Sequence, residues 1–166
     1  MTVTLVLGGT RSGKSRHAES LCQGERHYIA TAQAFDVEMH QRIAKHQEDR
    51  GGGWVTHEVI MDLTEKLVEI DRQGRVILVD CLTLWLTNLL LAEADWQMMG
   101  EQLAARLTAM KADVVLVSNE VGMGIVPDNK LARAFRDAQG LLNQRIAQAA
   151  DRVVFVAAGL PLVLKG

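Results

Sequence analysis

The sequence predicts an α/β domain, with a mostly parallel central sheet and helices on both faces. Three observations carry this. Short apolar runs recur along the chain: TVTLVL, HYIA, VILV, VVLVS and VVFVA. These runs are continuous rather than alternating, the pattern of strands buried on both faces of a parallel sheet. Between them lie longer stretches of helical periodicity, so strand and helix alternate.

Taken in order, Thr2–Leu7 reads as the first buried strand and Arg16–Gln23 as a helix. His27–Ala30 is a second short strand. Asp36 caps a helix running to about Arg50, with Met39 and Ile43 on an apolar stripe and Arg42, His46 and Arg50 one turn apart on another face. Gly51-Gly52-Gly53 stops it. Trp54–Val59 reads as a strand, Leu63–Ile70 as a helix and Val76–Val79 as a buried strand ending at Asp80. Leu82–Glu93 and Trp96–Lys111 are helices, and Val114–Ser118 the next strand. A loop, Asn119–Pro127, leads into a long amphipathic helix that starts at Asp128 or Asn129 and ends near Ala150. Val153–Ala157 is a strand, with Leu162–Leu164 as a short last one.

Bulk properties bound the function. The 166 residues make one ordinary domain, 1–166, and 48% hydrophobic residues suffice for a sizeable core. The net charge is −2 with acids and bases interspersed, so no nucleic-acid footprint is expected. Cys22 and Cys81 are far apart, without metal-ligand spacing, and fit a reducing cytoplasmic setting. Cys81 reads as a small buried hydrophobe. MTVTLVLGG has neither the charged n-region nor the long h-region of a leader, and no apolar run reaches the roughly 18 residues of a membrane span.

The chemistry-bearing residues gather at the carboxyl ends of the predicted strands, where ligands bind in open α/β sheets. Gly8, Gly9, Thr10, Arg11, Ser12, Gly13, Lys14 and Ser15 spell GGTRSGKS, a match to G-x-x-x-x-G-K-S/T between a strand and a helix. Glycines let such a loop curl until its N–H groups face phosphate oxygens, and the helix adds its positive end. Lys14 would reach the β- and γ-phosphates and Ser15 would ligate Mg²⁺. Arg11 is either an exposed loop side chain or a further phosphate contact. Asp80, at the end of VILVD, is a candidate to hold or orient the Mg²⁺, or alternatively a helix cap. Thr31, Ala32, Gln33 and Glu58 sit at two other strand ends.

His46 has Arg42 and Arg50 for neighbours on its helix face. Those cations suit a phosphate-facing surface and would keep the imidazole neutral and nucleophilic. The same spacing also fits a solvated face paired with Glu48 and Asp49, and spacing does not choose between the two. The loop NEVGMGIVPDN, with Asn119, Glu120, Gly122, Met123 and Gly124, is longer than a plain connection needs and reads as a lid or substrate loop.

Together these pieces resemble the bifunctional adenosylcobinamide kinase / adenosylcobinamide-phosphate guanylyltransferase family of cobalamin biosynthesis. The resemblance lies in GGTRSGKSRHAE (8–19), YIATAQ (28–33), Glu38, Met39, Arg42, Ile43, His46 and Arg50, Trp54, Thr56 and Glu58, VDCLTLWLTNLL (79–90), and a run from Ser118 to Asp151 that opens SNEVGMGIVPDN. It implies a RecA-like P-loop domain and a homotrimer. It also implies two reactions: phosphorylation of adenosylcobinamide by ATP or GTP, then transfer of GMP from GTP to the new phosphate. The family carries GMP on a histidine, which falls on His46. Some relatives have two adjacent histidines here, whereas this chain has Lys45-His46. The resemblance places guanine-nucleotide contacts at Gly8–Ser15, Thr31–Gln33, His46 with Gln47, Glu48 and Asp49, Glu58 and Asp80. It does not carry over a corrinoid site residue by residue; the loop Asn119–Val126 is our own expectation for part of its lining. Two other readings stand beside it. A single-activity P-loop small-molecule kinase would use Lys14, Ser15 and Asp80 but give His46 no covalent role. A nucleotide-binding regulatory module would bind without corrinoid turnover.

Overall fold

A computed structural model describes residues 1–33 and 51–166. The expected helix from Asp36 to Arg50 lies outside them, and with it His46, Gln47, Glu48 and Asp49.

Seven strands form one sheet: β1 (Val3–Gly8), β2 (Glu25–Ala30), β3 (Trp54–Glu58), β4 (Arg75–Asp80), β5 (Asp113–Asn119), β6 (Arg152–Ala157) and β7 (Leu160–Lys165). Their order across the sheet is β3-β2-β4-β5-β1-β6-β7. All neighbouring pairs are parallel except β6 with β7, which form an antiparallel hairpin. Among the described residues the helices are α1 (Lys14–Ser20), α2 (Leu63–Ile70), α3 (Leu82–Leu91), α4 (Trp96–Leu107) and α5 (Lys130–Ala149).

The apolar runs are continuous because both faces of the sheet are covered. Along β4, Ile77 and Val79 join one core cluster while Val76 and Leu78 join the other. β5 divides the same way, with Val114 and Leu116 opposite Val115 and Val117. The larger cluster takes buried residues from α2, α3, α4 and α5, including Leu63, Leu67, Trp85, Leu89, Leu103 and Ile146. The smaller one lies under α1, with Ala18, Tyr28 and Val156. Each fully buried Leu or Val contributes on the order of 1.5–3 kcal/mol, so these two layers dominate the stability.

The expected element boundaries hold to within a few residues, and the exceptions have causes. α4 ends at Leu107 rather than Lys111. Asp71 accepts hydrogen bonds from the Lys111 and Ala112 amides at 2.7 and 2.9 Å, drawing the chain away from the helix axis. Arg106 pairs with the same carboxylate at 2.5 Å. α5 is capped by Asn129, whose side chain accepts from the Ala132 amide at 2.7 Å. The last strand is six residues long rather than three. Its hairpin turn has two successive positive-φ residues, Ala158 (52°) and Gly159 (77°), the conformation that matches strand twist in a tight hairpin.

A candidate phosphate site at the carboxyl edge of the sheet

The strand order sets the site. Register pairs Gly8 with Asn119, Asp80 with Val117, and Ala30 with both Asp80 and Glu58. Glu58, the Thr31–Gln33 turn, Asp80, Asn119 and Gly8 therefore share one sheet edge, in that order. At about 4.8 Å per strand, Asp80 lies about 10 Å from Gly8 across the edge and Glu58 about 19 Å. Asp80 is within reach of a phosphate on the loop. Glu58 is not; a nucleotide contact by Glu58 would be at the end remote from those phosphates.

The loop from Gly9 to Gly13 leaves β1 and enters α1 through Gly13, whose φ of 93° a side chain would oppose. The Ser12 amide donates to the Gly9 carbonyl at 3.3 Å, and Lys14 Nζ donates to the same oxygen at 3.0 Å. The lysine is thus folded back over the loop. Burial pulls its ammonium below the ordinary value, opposed by nearby groups at positions 81 and 80. Burial, then Asp80, push the Cys81 thiol up to about 12, so it stays neutral and the standing attraction comes from the Asp80 carboxylate. Lys14 therefore lies in the field of Asp80, while its hydrogen bond goes to the loop. Tyr28 donates its hydroxyl to Asp80 Oδ2 at 3.2 Å and fixes that carboxylate from β2.

The helix-cap alternative for Asp80 is removed. α3 begins after Cys81, in extended conformation, and no side chain caps it. Cys81 is buried, as its apolar setting predicted.

The Thr31 side chain is fully buried. Its hydroxyl donates to the Cys81 carbonyl at 2.7 Å and accepts from the Cys81 amide at 2.9 Å. Its amide donates to the Asp80 carbonyl at 3.2 Å. All these bonds hold the turn that carries Asp80, so the Thr31 side chain positions the acid. Ala32 and Gln33, the next residues, are half-buried.

Asn88, which falls within VDCLTLWLTNLL but has no role assigned to it there, sits inside helix α3 and is buried. Its Nδ2 donates to Thr31 O at 2.8 Å and to Ile60 O at 3.0 Å, tying together the segments that leave β2 and β3. Thr83 accepts from the Asn119 amide at 2.8 Å and joins α3 to the end of β5. An amide inside a mostly apolar helix was the available signal for Asn88.

The loop after β5 has a fixed foot. The Glu120 amide donates to Gly8 O at 3.0 Å, so it starts against the phosphate loop. The Glu120 carboxylate accepts from the Gly122 amide, and Arg136 of α5 donates to the Gly122 carbonyl. Beneath, Ser118, Gln139 and Asn143 form a buried network, with Asn143 donating to Asn119 O at 3.1 Å. The tip is bare: Met123 is 81% and Ile125 96% exposed.

Comparison with known proteins agrees with this arrangement. The family described as cobinamide kinase / cobinamide phosphate guanyltransferase matches residues 4–164. The bifunctional adenosylcobalamin biosynthesis protein CobP of Pseudomonas aeruginosa is 48% identical, over 98% of this chain and 96% of that one. The bifunctional adenosylcobalamin biosynthesis protein CobU is 42% identical in Escherichia coli and 43% in Salmonella typhimurium, each over 97% of this chain and 98% of the other. Among solved structures, the P4 protein from bacteriophage phi6 in complex with ADP overlays with a TM-score of 0.53 at 15% identity, over 96% of this chain and 52% of that one. That likeness concerns the fold alone. With the phosphate loop, the acid-bearing strand end and a match over nearly its whole length, the chain belongs to the cobinamide kinase / cobinamide phosphate guanyltransferase family.

Proposed function

We propose that this one domain catalyses both reactions of its family on a corrinoid substrate, adenosylcobinamide. In the first, the substrate hydroxyl attacks the γ-phosphorus of ATP or GTP. The bond to the β-phosphate oxygen breaks, the nucleoside diphosphate leaves and the hydroxyl proton is released. In the second, an imidazole nitrogen of His46 attacks the α-phosphorus of GTP and pyrophosphate leaves. An oxygen of the corrinoid phosphate then attacks the same phosphorus, the P–N bond breaks, and adenosylcobinamide-GDP is formed with His46 restored. Splitting one hard transfer into two is what a nucleophilic histidine supplies.

The observation that supports this reading most is the placement of Lys14, folded back over the phosphate loop, on the same sheet edge as Asp80, whose strand lies two positions from the one that enters that loop. Both reactions expel charged phosphate, and a preorganised cation and loop amides stabilise that charge. Mg²⁺ fits the donors at hand. Ser15 and Asp80 offer hard oxygens, and among the described residues no three His, Cys, Asp or Glu gather into a tighter metal cage. When bound, Mg²⁺ neutralises phosphate charge. Glu58 and Gln33 are assigned to the nucleotide, and Asn119–Val126 to the corrinoid. A cytoplasmic homotrimer is the assembly proposed with this function; no helix among the described residues is long and apolar enough to cross a membrane.

The test is labelling with α-³²P GTP and Mg²⁺, wild type beside His46→Ala. Acid-labile, base-stable label is expected on the wild type and not on the variant, which keeps its kinase activity. Absence of label under turnover conditions would leave only the single-activity kinase or the regulatory module.

A further inference from the structure

We infer that the β6–β7 hairpin turn is a positioning element of the phosphate loop, acting through the Gly159 amide. The inference rests on the reading that this loop holds the phosphates. A loop whose amides turn inward toward an anion must turn carbonyls outward, and each outward carbonyl needs a donor. Ser12 precedes Gly13, where the loop enters α1, and its carbonyl accepts from the Gly159 amide at 2.7 Å. Beyond the strand ladder, two backbone bonds among the described residues clamp this segment from other elements. Glu120 holds Gly8 at its start, and Gly159 holds Ser12 at its end.

The packing repeats the message. A Cβ on Gly13 would stand 3.1 Å from Gly159 Cα. A Cβ on Gly8 would stand 2.7 Å from Val156 O. Two glycines of the motif thus serve close approach of the hairpin as well as loop curvature. The two positive-φ residues of the turn aim the Gly159 N–H at the loop rather than along the strand. The turn is a positioning element, not a catalytic one, and it acts equally on both reactions.

Residues 159–166 form a segment short enough for chemical ligation, which allows glycolate in place of Gly159. The resulting ester deletes the N–H and leaves the side-chain inventory untouched. The expected result is a rise of about five- to tenfold in KM for ATP in the kinase reaction and for GTP in guanylyl transfer, with kcat within about twofold. The same ligation carried out with glycine at position 159 keeps the N–H and is the control; its KM values should match those of the unligated protein, since Gly159→Ala would be strained at a φ of 77°. Unchanged KM in the ester protein would overturn the inference, as would a loss confined to kcat. Should the ester protein fail to fold, exchange of the Gly159 amide in the wild type decides. It should slow at least about tenfold on adding inorganic pyrophosphate, and unchanged exchange overturns the inference. A wild type that binds neither GTP nor pyrophosphate would bring down the phosphate-site reading with it. Binding without a Gly159 response would sink this inference alone.

Discussion

Replacing Asn88 by Leu tests whether the carboxyl edge is held together from behind. The substitution keeps the branched four-atom side-chain skeleton, in a somewhat bulkier form, and suits the apolar surroundings, but removes the Nδ2 that donates to Thr31 O and Ile60 O. A carbonyl stranded away from water costs about 1–3 kcal/mol, and an oxygen keeping a second partner costs least. Two such oxygens give about 2–4 kcal/mol. For a domain near this size each kcal/mol moves Tm by about 2–4 °C, so a fall of about 4–16 °C is expected. The assay is urea denaturation, read as a lower midpoint at unchanged slope. Asn88→Asp sharpens it, because an ionised carboxylate has no donor and would face two carbonyl oxygens, so it should be the worse variant. A loss below about 1 kcal/mol for Leu, or Asp tolerated better than Leu, would refute the bridge.

Two further outcomes follow from the same geometry. Lys14→Ala should lower kcat/KM of both reactions by about a hundredfold or more with little change in urea midpoint, because its hydrogen bond goes to the loop carbonyl of Gly9; an undamaged kinase reaction would refute a shared phosphate site. Burial, then the neighbouring His27, holds His57 below its ordinary value near 6.5, so the unfolded chain takes up the proton first; stability is present above about pH 6.5 and declines as pH falls below it, and His57→Gln should flatten that slope in urea midpoints measured across the range.

Most of this architecture was legible because its signals are local. Continuous apolar runs mark strands covered on both faces, and β4 and β5 show why, with alternate residues feeding opposite cores. The phosphate loop was legible because a curled anion site needs glycines at fixed spacing. The roles of Thr31 and Asn88 were not, since they depend on which strand lies beside which. That the Thr31 hydroxyl closes the Asp80–Cys81 turn emerges only once β2 is placed against β4. His27 and His57 are 30 positions apart and meet at 2.9 Å only because β2 pairs with β3. The grip of Gly159 on Ser12 likewise needs β6 beside β1.

The loop after β5 combines two properties that seldom occur together by accident. Its foot is tied by Glu120, Arg136 and the buried Ser118–Gln139–Asn143 network, while Met123, Ile125 and Val126 stand in solvent. An anchored loop with an apolar tip is built to be covered. Our reading covers it with the corrinoid. Ile125 is 96% exposed, so Ile125→Ala should leave folding stability within about 0.5 kcal/mol. If the corrinoid buries that side chain, the lost methyl groups are worth about 1–2 kcal/mol, and KM for the corrinoid should rise about five- to thirtyfold while KM for ATP stays put. Steady-state kinetics with each substrate varied in turn separates the two. An unchanged corrinoid KM together with a lighter particle in sedimentation would move the tip from the substrate to the contact between subunits. The same bare residues would then report on assembly, and the corrinoid would have to be sought elsewhere along the edge between Asp80 and Gly8.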